Sequence, residues 1–291
     1  MGWRGKLRKE AEARRKEDEG HPDDPTGPQT LDMEIVKDAV KFCQVFLKFF
    51  PTPYQVKLLL DEGRRIYVCW SRQSGKSTTL AARMIQRCLQ YPGTLRLIVA
   101  PGLRQSMIMM DKIEDFIYNI PKPVRRQIFS KIQRTTIRFK NGSRIIALPN
   151  SPQLLRGYSA AEVLCDEAAF FRDDELMFFN VLYPMLQTTD GSLIASSTPW
   201  GKNTVFYKFS LTPEAPEGFS KHHITWEDVV DAKLAKKSFI EEMRRSMPTD
   251  RFRREFEAEF TEDETAYLLQ DLITRCIDPE ASFIPDSFFG F

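Results

Sequence analysis

The chain has 291 residues, 42% of them hydrophobic, enough for one large core with appendages. Its 42 basic residues nearly balance 40 acidic ones, for a net charge of +2, so it is not a globally cationic polyanion binder and any nucleic-acid surface has to be local. No apolar run approaches the ~18 residues that span a bilayer, and the N-terminus lacks the apolar stretch of a secretory signal, so no membrane partner and an intracellular site are expected.

Residues 1–30 read as a charged tail and linker. Residues 4 to 16 carry seven Lys or Arg against two Glu, Glu17-Asp18-Glu19 reverses the sign, and a Pro-rich stretch follows to Pro28. Order is expected near Leu31, where Ile35, Val36, Ala39, Val40, Cys43 and Phe46 recur at helical spacing. The five cysteines, at 43, 69, 88, 165 and 276, are scattered without a C-x-x-C pair and read as buried free thiols.

Phe50-Pro-Thr-Pro-Tyr-Gln55 comes next, and Gln55 is the residue type that can read an adenine edge with both ends of its amide. The apolar run Ile66 to Trp70 then leads through Ser71-Arg72-Gln73-Ser74-Gly75-Lys76-Ser77-Thr78 into a helical pattern. A strand turning sharply into a helix aims unpaired backbone N–H groups and the positive helix end at one point, which is a cradle for a triphosphate. Gly75 permits close approach, Lys76 reaches the β and γ phosphates, and Ser77 offers its hydroxyl to Mg²⁺. The commoner loop pattern has glycine where this chain has Trp70. Arg72, inside the loop, can act in cis or sense the γ-phosphate.

Leu95 to Ala100 reads as a strand and Leu103 to Ile120 as a helix. Asn141-Gly142 joins Thr136–Phe139 to Arg144–Ala147 as a hairpin. Arg156 lies ten residues before Asp166. At roughly 3.3 Å per strand residue, five strand residues already separate it from the metal end by ~16 Å, so it is expected to serve a neighbouring subunit's nucleotide. Glu162 to Cys165 is a buried strand that delivers Asp166 as a metal-holding group and Glu167 as the base for an attacking water; the same acids also suit a helix cap. A helical stretch over Glu175 to Leu186 separates it from the strand Ser192 to Ser196, whose end places Ser197 and Thr198 near the γ-phosphate. Beyond Trp226 the pattern is helical, over Leu234–Met247 and Asp250–Phe260.

The fold class expected from this alternation is α/β: a mostly parallel sheet flanked by helices, as a P-loop NTPase core over 31–210, with a small helical lid subdomain over 211–265. The loop Ser71 to Ser77, Leu155-Arg-Gly157, Cys165-Asp-Glu-Ala168, Ser197-Thr-Pro199 and Phe252 to Phe260 together resemble the ATPase domain of the large terminase subunit of tailed bacteriophages. Order and spacing agree over about residues 45 to 262, and that family also lacks the first loop glycine. The resemblance implies an additional-strand (ASCE) P-loop ATPase using ATP and Mg²⁺ to move double-stranded DNA into a procapsid. It implies a homo-oligomeric ring, commonly a pentamer, on the portal, served by a small terminase subunit in the host cytoplasm. It assigns Lys76, Ser77 and Asp166 to phosphate and metal, Glu167 to the base, Arg156 to a trans finger, and Ser197 and Thr198 to coupling. In such a ring Arg104 and Lys112, on the Leu103 to Ile120 helix, are candidate contacts to DNA in the pore, although such lysines also simply solvate a helix face.

Large terminase subunits also carry an RNase H-like nuclease domain. Residues 266–291 read as a linker toward it, so nuclease activity is not expected from this chain. Two other functions suit some of the same residues. A two-domain helicase shares the glutamine, the Gly-Lys-Ser loop and the Asp-Glu pair, but needs a second RecA-like domain for which there is no room. A nucleotide-gated ring-assembly protein would not need Glu167.

Overall fold

The computed structural model describes residues 28–214 and 218–261; the expected tail up to residue 27, the 266–291 linker and Cys276 lie outside them. Eight strands form one sheet in the order β3-β4-β5-β2-β6-β7-β1-β8. They are β1 (Arg65–Trp70), β2 (Leu95–Ala100), β3 (Phe129–Gln133), β4 (Thr136–Phe139), β5 (Arg144–Pro149), β6 (Glu162–Asp166), β7 (Ser192–Ser197) and β8 (Ser220–Ile224). All neighbours from β5 to β8 pair in parallel, while β3-β4 and β4-β5 are antiparallel, with the expected Asn141-Gly142 turn joining β4 to β5 and Gly142 at φ 88°. β7 sits between β1 and β6, so one added strand separates the strand feeding the loop from the strand carrying the acids.

The central strands are continuous apolar runs because helices cover both faces. Alternation assigns the faces. Ile66, Val68, Trp70 and Leu164 enter a core with Leu58 of the Pro53–Leu60 helix, Leu80 and Met84 of the Lys76–Gln90 helix, and Ile113 of the Leu103–Asn119 helix. Tyr67, Cys69, Val163 and Cys165 enter the opposite core with Phe178 and Phe206. By the same parity Asp166 shares the Leu164 face, the side on which the Lys76–Gln90 helix packs.

A buried charged hub ties the far ends of these elements together. Glu162, at the start of β6, meets Arg83 of the Lys76–Gln90 helix at 3.3 Å and Arg96 of β2 at 3.1 Å, and accepts a hydrogen bond from Ser192 of β7. Burial alone would push the Glu162 carboxyl up, but Arg96 and Arg83 hold it below the usual carboxylate range. Arg83 also donates to the carbonyls of Leu58, Leu59 and Asp61, pinning the end of the Pro53–Leu60 helix.

Several bounds differ from the residue pattern. β3 and β8 are short edge strands that the residue pattern does not mark, and the turn at Phe50–Thr52 enters a helix that begins at Pro53 behind a Thr52–Gln55 capping box. The helical stretch opens as a π-helix, Leu176–Leu182, before the α-helix Tyr183–Gln187. The two later helices are shorter than expected, Lys237–Ser246 and Thr249–Glu255. Pro248 disfavours helix at Met247, which is extended, and the second helix ends at Glu255, ahead of the left-handed Ala258 at φ 53°. Ile240, Phe252 and Phe256 give these helices a small core of their own.

Candidate active site

Gly75 caps the Lys76–Gln90 helix at φ 77°, a left-handed conformation that glycine adopts without penalty. A Cβ there would also meet Gln55 Nε2 at 2.4 Å. The loop rests on the Pro53–Leu60 helix: the Tyr54 hydroxyl and the Gln55 amide both donate to the Ser74 carbonyl, at 2.8 and 3.3 Å. Gln55 Oε1 meanwhile accepts from the Thr52 N–H. Gln55 is therefore turned into the protein, 3% exposed, with both ends of its amide committed; it supports the loop from behind and does not line the cleft in front. Trp70 fills the place of the absent glycine without obstructing the loop. It is fully buried, with Tyr54 edge-on at 5.0 Å, so its indole supports the residue that holds the loop.

In front of the loop lies a cleft of about 510 Å³ lined by Ser71 to Thr78, Lys112, Glu167, Phe170, Thr198 and Glu255. Lys76 Nζ is 3.8 Å from Glu167 Oε1, and is buried without a hydrogen-bond partner. Glu167 follows the end of β6 at φ 54°, so a left-handed backbone step, in addition to the strand pleat, turns it away from Asp166. The Ser197 hydroxyl, from the end of β7, donates to Glu167 Oε2 at 3.3 Å. Parallel pairing of Asp166 with Ser196 sets this reach, and Thr198 continues into the cleft.

Asp166 is 7% exposed and its Oδ1 has no hydrogen-bond partner. Burial, and secondarily the neighbouring Glu167, push its carboxyl up to about 6. An orphaned buried carboxylate oxygen beside a hydroxyl-bearing helix start fits a hard cation that keeps several of its waters, as Mg²⁺ does. Among the described residues no cluster of three or more His, Cys, Asp or Glu side chains could enclose a metal by itself. Cys43, Cys69, Cys88 and Cys165 are buried free thiols, the first three pushed up to about 12 by burial, which leaves them chemically inert at neutral pH.

The arginines divide. Arg72 lines the cleft, but the end of the Thr249–Glu255 helix holds it: its N–H donates to the Glu255 carbonyl at 2.7 Å and its guanidinium meets the Glu255 carboxylate at 3.4 Å. Arg156, exposed at the end of the Pro152–Leu155 helix, does not line the cleft. Arg104 is exposed on the first turn of the Leu103–Asn119 helix, whereas Lys112 of that helix lines the cleft. Tyr54 and Glu255 lie inside segments singled out in the sequence but are given no role there, Phe170 lies in none, and only packing brings the three here. A further charge signal is visible in the sequence itself: residues 122–144 hold eight Lys or Arg and no Asp or Glu. Lys131, Arg134, Arg138 and Lys140 are exposed along the β3-β4 edge of the sheet, and Arg126 is exposed on the Lys122–Ile128 helix before it.

Residues 68–275 match the family described as terminase large subunit, T4likevirus-type, N-terminal. The chain is 24% identical over 267 residues to the terminase large subunit of Thermus phage G20c, covering 78% of this chain and 52% of that protein, so it spans about half the relative's length. Its fold resembles the large terminase ATPase domain of Thermus phage P74-26, with TM-score 0.63, 24% identity, and 76% of this chain and 98% of that one covered. The large terminase of another thermophilic bacteriophage, solved in complex with ADP, is similar at TM-score 0.58 and 15% identity, covering 72% of this chain and 54% of that one.

Proposed function

Because the chain belongs to the T4-like terminase large subunit family, we propose that it is the ATP-hydrolysing motor of a packaging machine that drives double-stranded DNA into a procapsid. The observation that carries this reading is the convergence of Lys76 and Glu167 on one cleft fronting the phosphate loop, with the buried Ser197 hydroxyl bonded to Glu167 from behind.

In this reading the loop N–H groups and Lys76 take the triphosphate, and Ser77 and Asp166 would hold Mg²⁺. Bound there, the ion would neutralise phosphate charge and raise the electrophilicity of the γ-phosphorus. Lys76 is drawn to the phosphates and leaves Glu167 without its counter-charge. Glu167, oriented by the Ser197 hydroxyl, accepts a proton from water as the water oxygen bonds to the γ-phosphorus and the bond to the bridging oxygen breaks. Arg72 leaves Glu255 for the growing phosphate charge, which loosens the lid formed by the later helices and reports the nucleotide state. Arg156, outside the lining of its own cleft, serves the next copy in a ring. The ring would sit on the portal of a procapsid in the host cytoplasm, with a small terminase subunit selecting DNA. The cationic β3-β4 edge, more than Arg104, suits a duplex backbone.

Steady-state hydrolysis with and without duplex DNA tests the reading, and DNA should accelerate it. Glu167→Gln should keep ATP affinity and lower turnover on the order of a hundredfold or more, since an amide cannot take the proton. Lys76→Ala should abolish nucleotide binding with the thermal midpoint retained. Turnover at the parental rate in the first variant, or parental affinity in the second, would remove these roles.

A further inference from the structure

The cleft presents three cations to an incoming polyphosphate, and two are already neutralised. Lys76 faces Glu167 at 3.8 Å, and Arg72 is paired with Glu255 at 3.4 Å. Lys112 is the third. It is half-buried at the cleft, and among the described residues no carboxylate or hydrogen-bond acceptor holds its ammonium. The helix that carries it is firmly seated, burying Met109, Met110, Ile113 and Phe116 against the core, so the lysine stem starts from a fixed base.

We propose that Lys112 is a nucleotide-binding residue that captures the polyphosphate tail of ATP in cis, and that it does not belong to the DNA-contacting surface. This rests on the ATPase reading. The physical reason is the state of the empty cleft. Lys76 and Arg72 must each leave a carboxylate before they can engage a phosphate, whereas Lys112 has no bond to break and is available at first encounter. A single charge-assisted contact at a half-exposed site corresponds to about a tenfold change in affinity.

Fluorescence-detected binding of ATP and ADP to the whole chain, alongside anisotropy with a labelled DNA duplex, tests the assignment. Lys112→Met, which keeps the apolar stem and removes the charge, should weaken ATP binding about tenfold and ADP binding less, because ADP carries fewer charges. The salt dependence of ATP binding should flatten, and duplex affinity should stay at the parental value. Lys112→Arg should recover most of the ATP affinity. Parental ATP affinity in Lys112→Met overturns the proposal, and a fall in duplex affinity alone returns the residue to the DNA surface. Equal losses in the Met and Arg variants would show a packing role and also overturn it. If the parent chain itself binds neither nucleotide, the ATPase reading fails, an outcome distinct from the failure of Lys112 alone.

Discussion

At Gly75 two independent constraints coincide, the left-handed backbone at φ 77° and the approach of Gln55 Nε2 to within 2.4 Å of where a Cβ would sit. Gly75→Ala should therefore combine backbone strain with displacement of the Gln55 amide from the Ser74 carbonyl. A loss of about 1–3 kcal/mol is expected in denaturant unfolding, together with weakened nucleotide binding. Gln55→Ala in the same background should relieve the steric part, recovering stability though not the lost loop support. If the double variant is no more stable than Gly75→Ala, the contact does not limit the loop. The same geometry accounts for Gln55 itself. A glutamine ahead of a phosphate loop suits adenine readout by residue type alone, but in the folded chain the Thr52 N–H and the Ser74 carbonyl have already engaged it.

Between elements, polar contacts fix how the phosphate-loop strand meets its neighbours. Asp61, after the Pro53–Leu60 helix, accepts from the Ser220 hydroxyl and the Gly63 N–H, and pairs with His222 at 2.6 Å, tying the entry to β1 onto the edge strand β8. Burial pushes its carboxyl up, but the hydrogen bonds from His222, Ser220 and Gly63 outweigh that and hold it at about 2, below the ordinary 3.8. A carboxylate depressed in the folded state stabilises it above the unfolded value and loses that contribution as pH falls from about 4 toward 2. At neutral pH, Asp61→Asn should thus be less stable than the parent by about 2 kcal/mol at most. The gap should narrow in urea titrations as pH is lowered from 5 to 3. A gap independent of pH would mean that the loss comes from altered hydrogen-bond geometry and not from charge.

At the scale of the molecule, Arg72, the one arginine lining the cleft among the described residues, starts paired with Glu255, and Arg156 lies outside the cleft. An Arg156→Ala chain should bind ATP normally and hydrolyse it poorly. Mixing it with Glu167→Gln should then restore turnover, because the second subunit lends its arginine to the first one's intact Glu167. Rescue should fade on dilution, since the complementing group arrives only across an interface. Absence of rescue in demonstrably mixed rings would shift the role to Arg72.

The α/β class, the phosphate loop, the acid pair and the adjacent hydroxyl strand were legible because each is local: a short apolar run followed by residues whose spacing sets their place at a strand end. Parity along Val163, Leu164, Cys165 and Asp166 even fixes the face on which Asp166 emerges. Other features depend on segments distant in the chain. Glu255 reaches Arg72 across 183 positions of sequence, Tyr54 and Gln55 reach Ser74 from a separate helix, and Lys112 enters the cleft from the Leu103–Asn119 helix. Residue identity constrains what such side chains can do, but packing of the two helical layers on the sheet decides what they meet. The sequence by itself determined the chemistry of the cleft, since that chemistry is carried by residues at the ends of single strands. Only the tertiary structure decided which cations are already paired with carboxylates, because pairing depends on distances that no spacing along one chain encodes.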